Sequence, residues 1–134
     1  MMLRVAEVSV RDETMSGKLI ESWLLPDLPD STTARELVRL RVREEVARFN
    51  LTAGDVFRGL VRPSGARETL DGYRVPDGRR LDWEAQADIA CAAFERNGFV
   101  MLVGDRQVED LVEVVDLRLN PAVAFIRLVP LVGG

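Results

Sequence analysis

Apolar and polar residues alternate along residues 3–10, whose sequence is LRVAEVSV, with one break near Ala6. Residues 19–25 form a second run rich in strand formers. Such alternation is typical of a β-strand with one buried face. The polar stretch between the two runs contains Gly17, which suits a tight turn. The pattern therefore predicts an antiparallel hairpin at the start of the chain.

Residues 31–50 change to helical periodicity. The sequence Thr33-x-x-Glu36 is a helix start signal, because the threonine oxygen can accept from an early amide and the glutamate can reach back. The arginines and glutamates of this segment are expected on a solvated face, paired along the helix. The opposite, apolar face is expected to contain Leu37, Val38, Leu40, Val42, Val46, Ala47 and Phe49.

Periodicity fades over residues 51–81, where glycines and prolines interrupt the pattern. This composition predicts a long loop with one short hairpin around Gly72 to Asp77. Helical spacing returns over residues 82–97, with Asp82 as a candidate N-cap and Asn97-Gly98 as a stop signal. We therefore expect a second helix after the loop.

The last third of the chain is strand-like. Residues 99–103, FVMLV, are typical of a buried strand, residues 104–111 predict a turn and a short extended piece, and residues 122–131 predict a final strand. Two glycines, Gly133 and Gly134, end the sequence. The order of hairpin, helix, loop, helix and strands predicts an α+β fold.

Composition narrows the classes of function. The 134 residues include 47% hydrophobic and 30% charged residues, which fits one ordered domain. A formal net charge of -4 disfavours nucleic acid and anionic membrane surfaces as partners. No apolar run reaches the length of a membrane span, and the first residues lack the apolar region of a signal peptide, so we expect a cytoplasmic protein.

Most catalytic constellations are missing from the sequence. The chain has one cysteine and no histidine, which excludes disulfide frameworks, Cys/His zinc sites and imidazole acid-base chemistry. Cys91 lies among small and apolar residues at helical spacing, as expected for a buried structural residue. The acidic residues lack the paired spacing of a general acid and base. We therefore expect no metal site and no catalysis by the chain itself.

Three segments resemble ubiquitin and the ubiquitin-like β-grasp family, and they occur in the family's order. MSGK, residues 15–18, is similar to the turn of ubiquitin's first hairpin, and MLVGDRQVEDL, residues 101–111, to its third and fourth strands with one residue inserted. AFIRLVPLVGG, residues 124–134, is similar to its closing strand and tail. The resemblance covers residues 3–50 and 99–134, and it leaves residues 51–98 as an insertion.

The resemblance implies a ubiquitin-like β-grasp fold: a single domain over residues 1–134, with a mixed sheet, one main helix, an inserted loop and second helix, and a flexible tail at residues 130–134. In ubiquitin-like modifiers an activating enzyme uses ATP to adenylate the terminal carboxylate. Residues without a β-carbon allow the tail to pass through a narrow channel to the nucleotide. Gly134 would carry the reacting carboxylate, and Gly133 would be the residue without a side chain that precedes it.

By this resemblance, the chain is a bacterial-type ubiquitin-like modifier that forms isopeptide bonds with target proteins. Its partners would be an activating enzyme, a conjugating enzyme, a deconjugating peptidase and the targets, and it would need no cofactor of its own. Two alternatives remain. The uncharged tail with Pro130 is similar to the tails of the molybdopterin-synthase small subunit and its relatives, which implies a sulfur carrier with a thiocarboxylate at Gly134. The other alternative is a non-conjugated β-grasp interaction domain.

The resemblance also points to two surface features. Lys18, the only lysine, matches the hairpin-turn lysine that ubiquitin uses in chains, although an ordinary exposed turn residue is the simpler explanation. Met101, Ile126 and Leu128 match the apolar partner patch of ubiquitin if they are exposed together. If the second helix buries them, they belong to the core instead.

The insertion carries many arginines and two large aromatic residues, Tyr73 and Trp83. These residues either contact a partner enzyme or belong to a solvated loop with balanced charge. Both interpretations are compatible with the sequence. The arginines concerned are Arg58, Arg62, Arg67, Arg74, Arg79 and Arg80.

Overall fold

The computed structural model of the chain describes residues 5–52, 54–76 and 79–128. The chain divides into two compact units, one formed by Met1–Arg35 with Phe94–Gly134 and the other by Glu36–Ala93. The expected single domain with an insertion at residues 51–98 stays a prediction. The second unit does not coincide with that insertion, because it also includes most of the main helix. The predicted tail at residues 130–134 lies outside the described residues.

The described residues form two α-helices and ten β-strands, which confirms the α+β class with a mixed sheet. Several strands have only two or three residues, and they lie where the sequence shows no clear period. In chain order the elements are β1 (Ala6–Glu13), β2 (Leu19–Leu28), β3 (Ser31–Thr33), α1 (Ala34–Leu51), β4 (Val56–Phe57), β5 (Arg67–Thr69), β6 (Gly72–Arg74), α2 (Trp83–Glu95), β7 (Phe99–Val103), β8 (Arg106–Gln107), β9 (Val114–Asp116) and β10 (Ala122–Arg127).

The main element of the first unit is a five-stranded sheet with the order β2-β1-β10-β7-β8. The predicted hairpin is confirmed, because β1 and β2 pair antiparallel around a turn that contains Gly17 at a φ of 87°. The last strand, β10, lies in the centre of the sheet, parallel to β1 and antiparallel to β7. This mixed arrangement joins the two ends of the described chain.

One face of this sheet supplies the core of the first unit. Val10 pairs with Val123, and Phe125 pairs with Met101, so the four side chains share a face. All four are 2% exposed or less. Phe99 extends the cluster, with its ring 6.0 Å from that of Phe125. Burial of this much apolar surface is the main stabilising contribution to the sheet.

The start of α1 is fixed by backbone hydrogen bonds within the first unit. The amides of Ala34 and Arg35 donate to the carbonyls of Glu113 and Leu111 at 2.8 and 2.9 Å. These donors belong to the first turn of the helix and have no partner inside it. The adjacent strands β3 and β9 pair antiparallel, and this pairing holds the Leu111 and Glu113 carbonyls beside the helix start.

The second unit corrects the prediction for residues 51–81. Instead of a loop with one hairpin around Gly72 to Asp77, it contains a three-stranded antiparallel sheet of order β4-β6-β5. The hairpin of β5 and β6 turns at residues 70–71, earlier than predicted, and Asp77 lies outside the described residues. The sequence does not predict β4, because a strand of two residues is too short to show an alternation of apolar and polar positions.

The second helix agrees with the prediction within two residues at each end. At its start the side-chain carboxylate of Asp82 accepts from the amide of Glu84 at 3.1 Å, as expected for an N-cap. Beyond its end Asn97 has a φ of 61°, the left-handed conformation that stops a helix. The two sequence signals therefore mark the helix correctly.

The inner face of α1 differs from the prediction in four positions. Leu37, Val38, Val42, Val46 and Phe49 are buried as expected, but Leu40 is only half-buried and Ala47 is exposed. Arg41 and Glu45, which were expected on the solvated face, are buried. The buried stripe follows a strict three-and-four spacing that includes both charged residues.

No helix in the described part of the chain is both long and apolar enough to span a membrane. Among the same residues, no three histidine, cysteine, aspartate or glutamate side chains are grouped so that they could hold a metal ion.

Two leucines of the first unit test the core assignment with matched chemistry. Leu117 is fully buried, whereas Leu119 is 91% exposed. We expect Leu117→Ala to lower the free energy of unfolding by about 2–5 kcal/mol, because it leaves a cavity. Leu119→Ala should change it by no more than about 0.5 kcal/mol. Urea unfolding followed by circular dichroism measures both, and equal effects of the two substitutions would contradict the packing.

Candidate functional site

The end of β10 is the place from which the predicted functional tail leaves the sheet. β10 pairs with β1 as far as Ile126 and with β7 as far as Arg127, and the amide of Leu128 still donates to the carbonyl of Gly98 at 3.3 Å. The predicted conjugation residues Gly133 and Gly134 lie outside the described residues. The described chain therefore reaches the tail from a strand held at the centre of a sheet.

The structure separates the three residues of the predicted partner patch. Met101 is fully buried opposite Phe125 and belongs to the core, so it is removed from the patch. Ile126 is half-buried, and Leu128 is 36% exposed. The run FVMLV is apolar at every position, so it contains no alternation from which the outward residues of β7 can be read.

The strand register identifies which residues share the other face of the sheet. Ile126 of β10 pairs with Val100 of β7, and Ala124 pairs with Leu102. Val100, Leu102 and Ile126 are each partly exposed, whereas Ala124 is buried. We call Val100, Leu102, Ala124 and Ile126 the outer apolar face. It lies on the same two strands as the predicted patch, but with Val100 and Leu102 in place of Met101.

A groove of about 600 Å³ adjoins the end of β10 within the first unit. Its apolar lining includes Phe94, Phe99, Val108, Leu111 and Leu128. Three carboxylates and one guanidinium lie along the same groove, from Glu95, Glu109, Asp110 and Arg35. Because Leu128 lines this groove, the described chain ends beside a depression with both apolar and charged lining residues.

Lys18 lies in the turn of the first hairpin and is exposed. Its carbonyl accepts from the amide of Thr14 at 2.9 Å, and its amide donates to the Thr14 hydroxyl at 3.1 Å. The backbone is therefore well fixed while the side chain is open to solvent. This geometry suits an acceptor amine and equally suits an ordinary turn residue.

Titratable chemistry in the described residues is limited. Cys91 is buried at 5% exposure, as predicted, which keeps its thiol from solvent. The hydrogen bond from Arg118 to Asp116 and the charge of that carboxylate raise the pKa of Arg118, so this exposed guanidinium stays protonated. A buried thiol and a protonated guanidinium are poorly suited to act as a nucleophile or as a general base.

A buried ion pair organises the second unit. Arg41 and Glu45 lie one turn apart on α1, with 2.5 Å between Arg41 Nε and Glu45 Oε1, and their side chains are 2% and 6% exposed. The other carboxylate oxygen of Glu45 accepts from the backbone amide of Leu60 at 2.9 Å. Glu45 therefore fixes the chain that follows β4 to the helix.

Gly59 is part of the same arrangement. A β-carbon at this position would overlap the ring of Phe57 and the carboxylate of Glu45. Only glycine lets the backbone approach the ion pair this closely. Sequence reasoning missed this cluster, although the signal was present: Arg41 and Glu45 fall within the apolar stripe of α1 rather than beside it.

Two side-chain amides, one buried and one half-buried, also hold residues 60–81 to the helices. The side-chain amide of Gln86 in α2 donates to the carbonyl of Val61 at 2.8 Å. Asn50 in α1 both donates to the carbonyl and accepts from the amide of Leu81, each at 3.0 Å. Residues 60–81 are therefore anchored near both ends, so this segment is not a freely solvated loop.

Trp83, the first residue of α2, lies near two arginines of α1. The guanidinium carbons of Arg39 and Arg43 lie 5.1 and 5.5 Å from its ring centroid, within the range of cation–π contacts. Arg39 also forms ion pairs with Glu36 and Asp88 at 3.8 and 4.0 Å. These contacts explain the position of Trp83 by packing between α1 and α2.

Comparisons with known proteins give no relative for the chain: no family model, no curated protein and no solved structure matches it. Functional inference therefore depends on the residues and on their geometry.

The buried ion pair gives a direct test of the anchor. Glu45→Gln keeps an acceptor for the Leu60 amide but leaves the buried charge of Arg41 without its carboxylate. We expect a loss of about 3–5 kcal/mol in the free energy of unfolding and faster hydrogen exchange at the Leu60 amide. The neighbouring exposed Glu44→Gln serves as the control, with a change within about 0.5 kcal/mol. A loss no larger than that of the control would refute the anchoring role.

Proposed function

We propose that the chain is a ubiquitin-like β-grasp protein modifier. An activating enzyme uses ATP to adenylate the Gly134 carboxylate and releases pyrophosphate. With a conjugating enzyme, the Gly134 acyl group then passes to the amine of a target lysine, which forms an isopeptide bond and releases AMP. A deconjugating peptidase reverses the modification. In this proposal the chain is the substrate of these enzymes and does not catalyse a reaction.

The observation that carries the proposal is the position of β10. The first and last strands of the described chain, β1 and β10, form a parallel pair inside a mixed sheet, with β2 and β7 on either side. A hairpin followed by a helix and a central closing strand is the arrangement that the resemblance to β-grasp domains implies. Such a sheet holds the strand firmly as far as the residues that precede the tail.

The surface near the end of β10 gives additional support. A modifier must be recognised by its enzymes close to its reacting tail, and the outer apolar face offers partly exposed Val100, Leu102 and Ile126 there. Partly exposed apolar residues grouped in this way are typical of docking surfaces. Leu128, beside the groove, extends the apolar surface toward the tail.

One observation favours a second candidate, a sulfur carrier. The tail residues Pro130, Leu131 and Val132 are uncharged, which is similar to the tails of sulfur carriers. In that case Gly134 would carry a thiocarboxylate and deliver sulfur to a small molecule. The same sheet and tail serve both functions, so the product formed at Gly134 distinguishes them.

Removal of the tail glycines tests the proposal. We expect the tagged chain, recovered under denaturing conditions from its native host, to show a ladder of covalent species larger than the free protein. A version without Gly133 and Gly134 should show the free protein alone, because the reacting carboxylate is displaced. Leu119→Ala, an exposed substitution that leaves the tail intact, serves as the control and should retain the ladder. An unchanged ladder without the two glycines would overturn the proposal.

Lys18 provides a narrower test of chain formation. If copies of the modifier are joined through lysine, the junction must be Lys18, since it is the only lysine. We expect Lys18→Arg to remove species that contain several linked copies while single attachments to targets remain. Mass spectrometry of the excised ladder measures both classes. Linked copies that persist in Lys18→Arg would exclude this residue as the acceptor.

A further inference from the structure

The small sheet of the second unit places two arginines side by side. Arg67 of β5 lies directly opposite Arg74 of β6, and Arg74 lies opposite Val56 of β4. Residues directly opposite in an antiparallel pair point to the same face, with β-carbons about 4.5–5.5 Å apart. Arg67 and Arg74 are both exposed. We call the surface formed by Val56, Arg74 and Arg67 the arginine face.

The opposite face of this sheet is a core face. Phe57 and Tyr73, which pair with each other, are 1% and 9% exposed. The backbone after β4 is held by Glu45, and the segment after β6 is held by Asn50. The arginine face is therefore the outward side of an anchored platform, which holds the β-carbons of the two arginines side by side.

The charges on the arginine face are poorly compensated among the described residues. Like charges directly opposite on a sheet are destabilising. Asp55 approaches Arg74 at only 3.8 Å, and both side chains are 51% exposed, so this ion pair is weak. Glu68 belongs to the other row of the sheet, opposite Tyr73. Carboxylates placed across both arginines would relieve this repulsion.

The charge of the surrounding segment differs from that of the whole chain. Residues 52–81 contain six arginines and four acidic residues, whereas the chain has a formal net charge of -4. The net negative charge is therefore carried outside this segment. A local positive surface on an acidic protein attracts a short acidic segment but disfavours a long polyanion such as nucleic acid.

We propose that the arginine face is a docking surface for an acidic segment of a partner protein, whose carboxylates bind Arg67 and Arg74 together. Guanidinium groups are suited to this role because their planar donors pair with carboxylates in a bidentate manner. The inference does not rest on the tail, so it stands or fails independently of the conjugation proposal.

Titration with an octaglutamate peptide at low ionic strength, followed by NMR of the full chain, tests the proposal. We expect the largest shifts at the backbone amides of residues 67–74 and at the Nε–H groups of Arg67 and Arg74. The double substitution Arg67→Gln/Arg74→Gln should weaken binding about ten-fold, as expected for the loss of two exposed arginine–carboxylate contacts. Both residues are exposed, so unchanged circular dichroism will confirm that the fold is retained.

The matched control is Arg96→Gln/Arg118→Gln, which removes two exposed arginines of the first unit and changes the net charge equally. It should leave the peptide affinity within about two-fold of the original, since only general electrostatic attraction changes. Equal losses in the two double variants, or shifts outside the arginine face, would overturn the proposal. A single-stranded oligonucleotide of eight phosphates that binds the arginine face more tightly than the peptide would also overturn it.

Discussion

The pairing of β10 with β1 on one side and with β7 on the other is the constraint on which the first unit depends. It joins the first and last strands of the described chain in a parallel pair, and it brings Val10, Val123, Phe125 and Met101 onto one buried face. Strand pairs so distant in sequence form only when the intervening chain is closed into a loop, which costs conformational entropy. The buried apolar face offsets this cost, and the last described strand consequently lies at the centre of the sheet.

A different interaction, the ion pair of Arg41 and Glu45, organises the second unit. Two charges inside a protein are costly unless each has partners, and Glu45 has both the guanidinium and the Leu60 amide. The pair thereby directs the backbone after β4 and requires glycine at position 59. A segment without periodicity becomes a platform whose outward side carries Arg67 and Arg74. In this unit polar contacts position the backbone in addition to the apolar packing of residues such as Phe57 and Tyr73.

The long elements were predictable because each has a local signal. Alternation marked β1, helical spacing marked α1, and Asp82 and Asn97 marked the ends of α2. Other features depend on contacts between distant residues. The run FVMLV cannot show that Met101 faces inward, and β4 is too short to have a period. Arg41 and Glu45 were assigned to solvent by residue type, although their spacing already placed them in the buried stripe. Spacing was the better guide there.

The central claim is that the tail forms covalent bonds through Gly134, and identification of the attachment site tests it most directly. Trypsin cuts after Arg127, so conjugation leaves residues 128–134, LVPLVGG, on the modified lysine. Mass spectrometry of tryptic peptides from the native host should find this remnant on lysines of other proteins. Absence of the remnant, together with an oxygen-to-sulfur mass change or an unchanged mass of the free chain, would contradict the account.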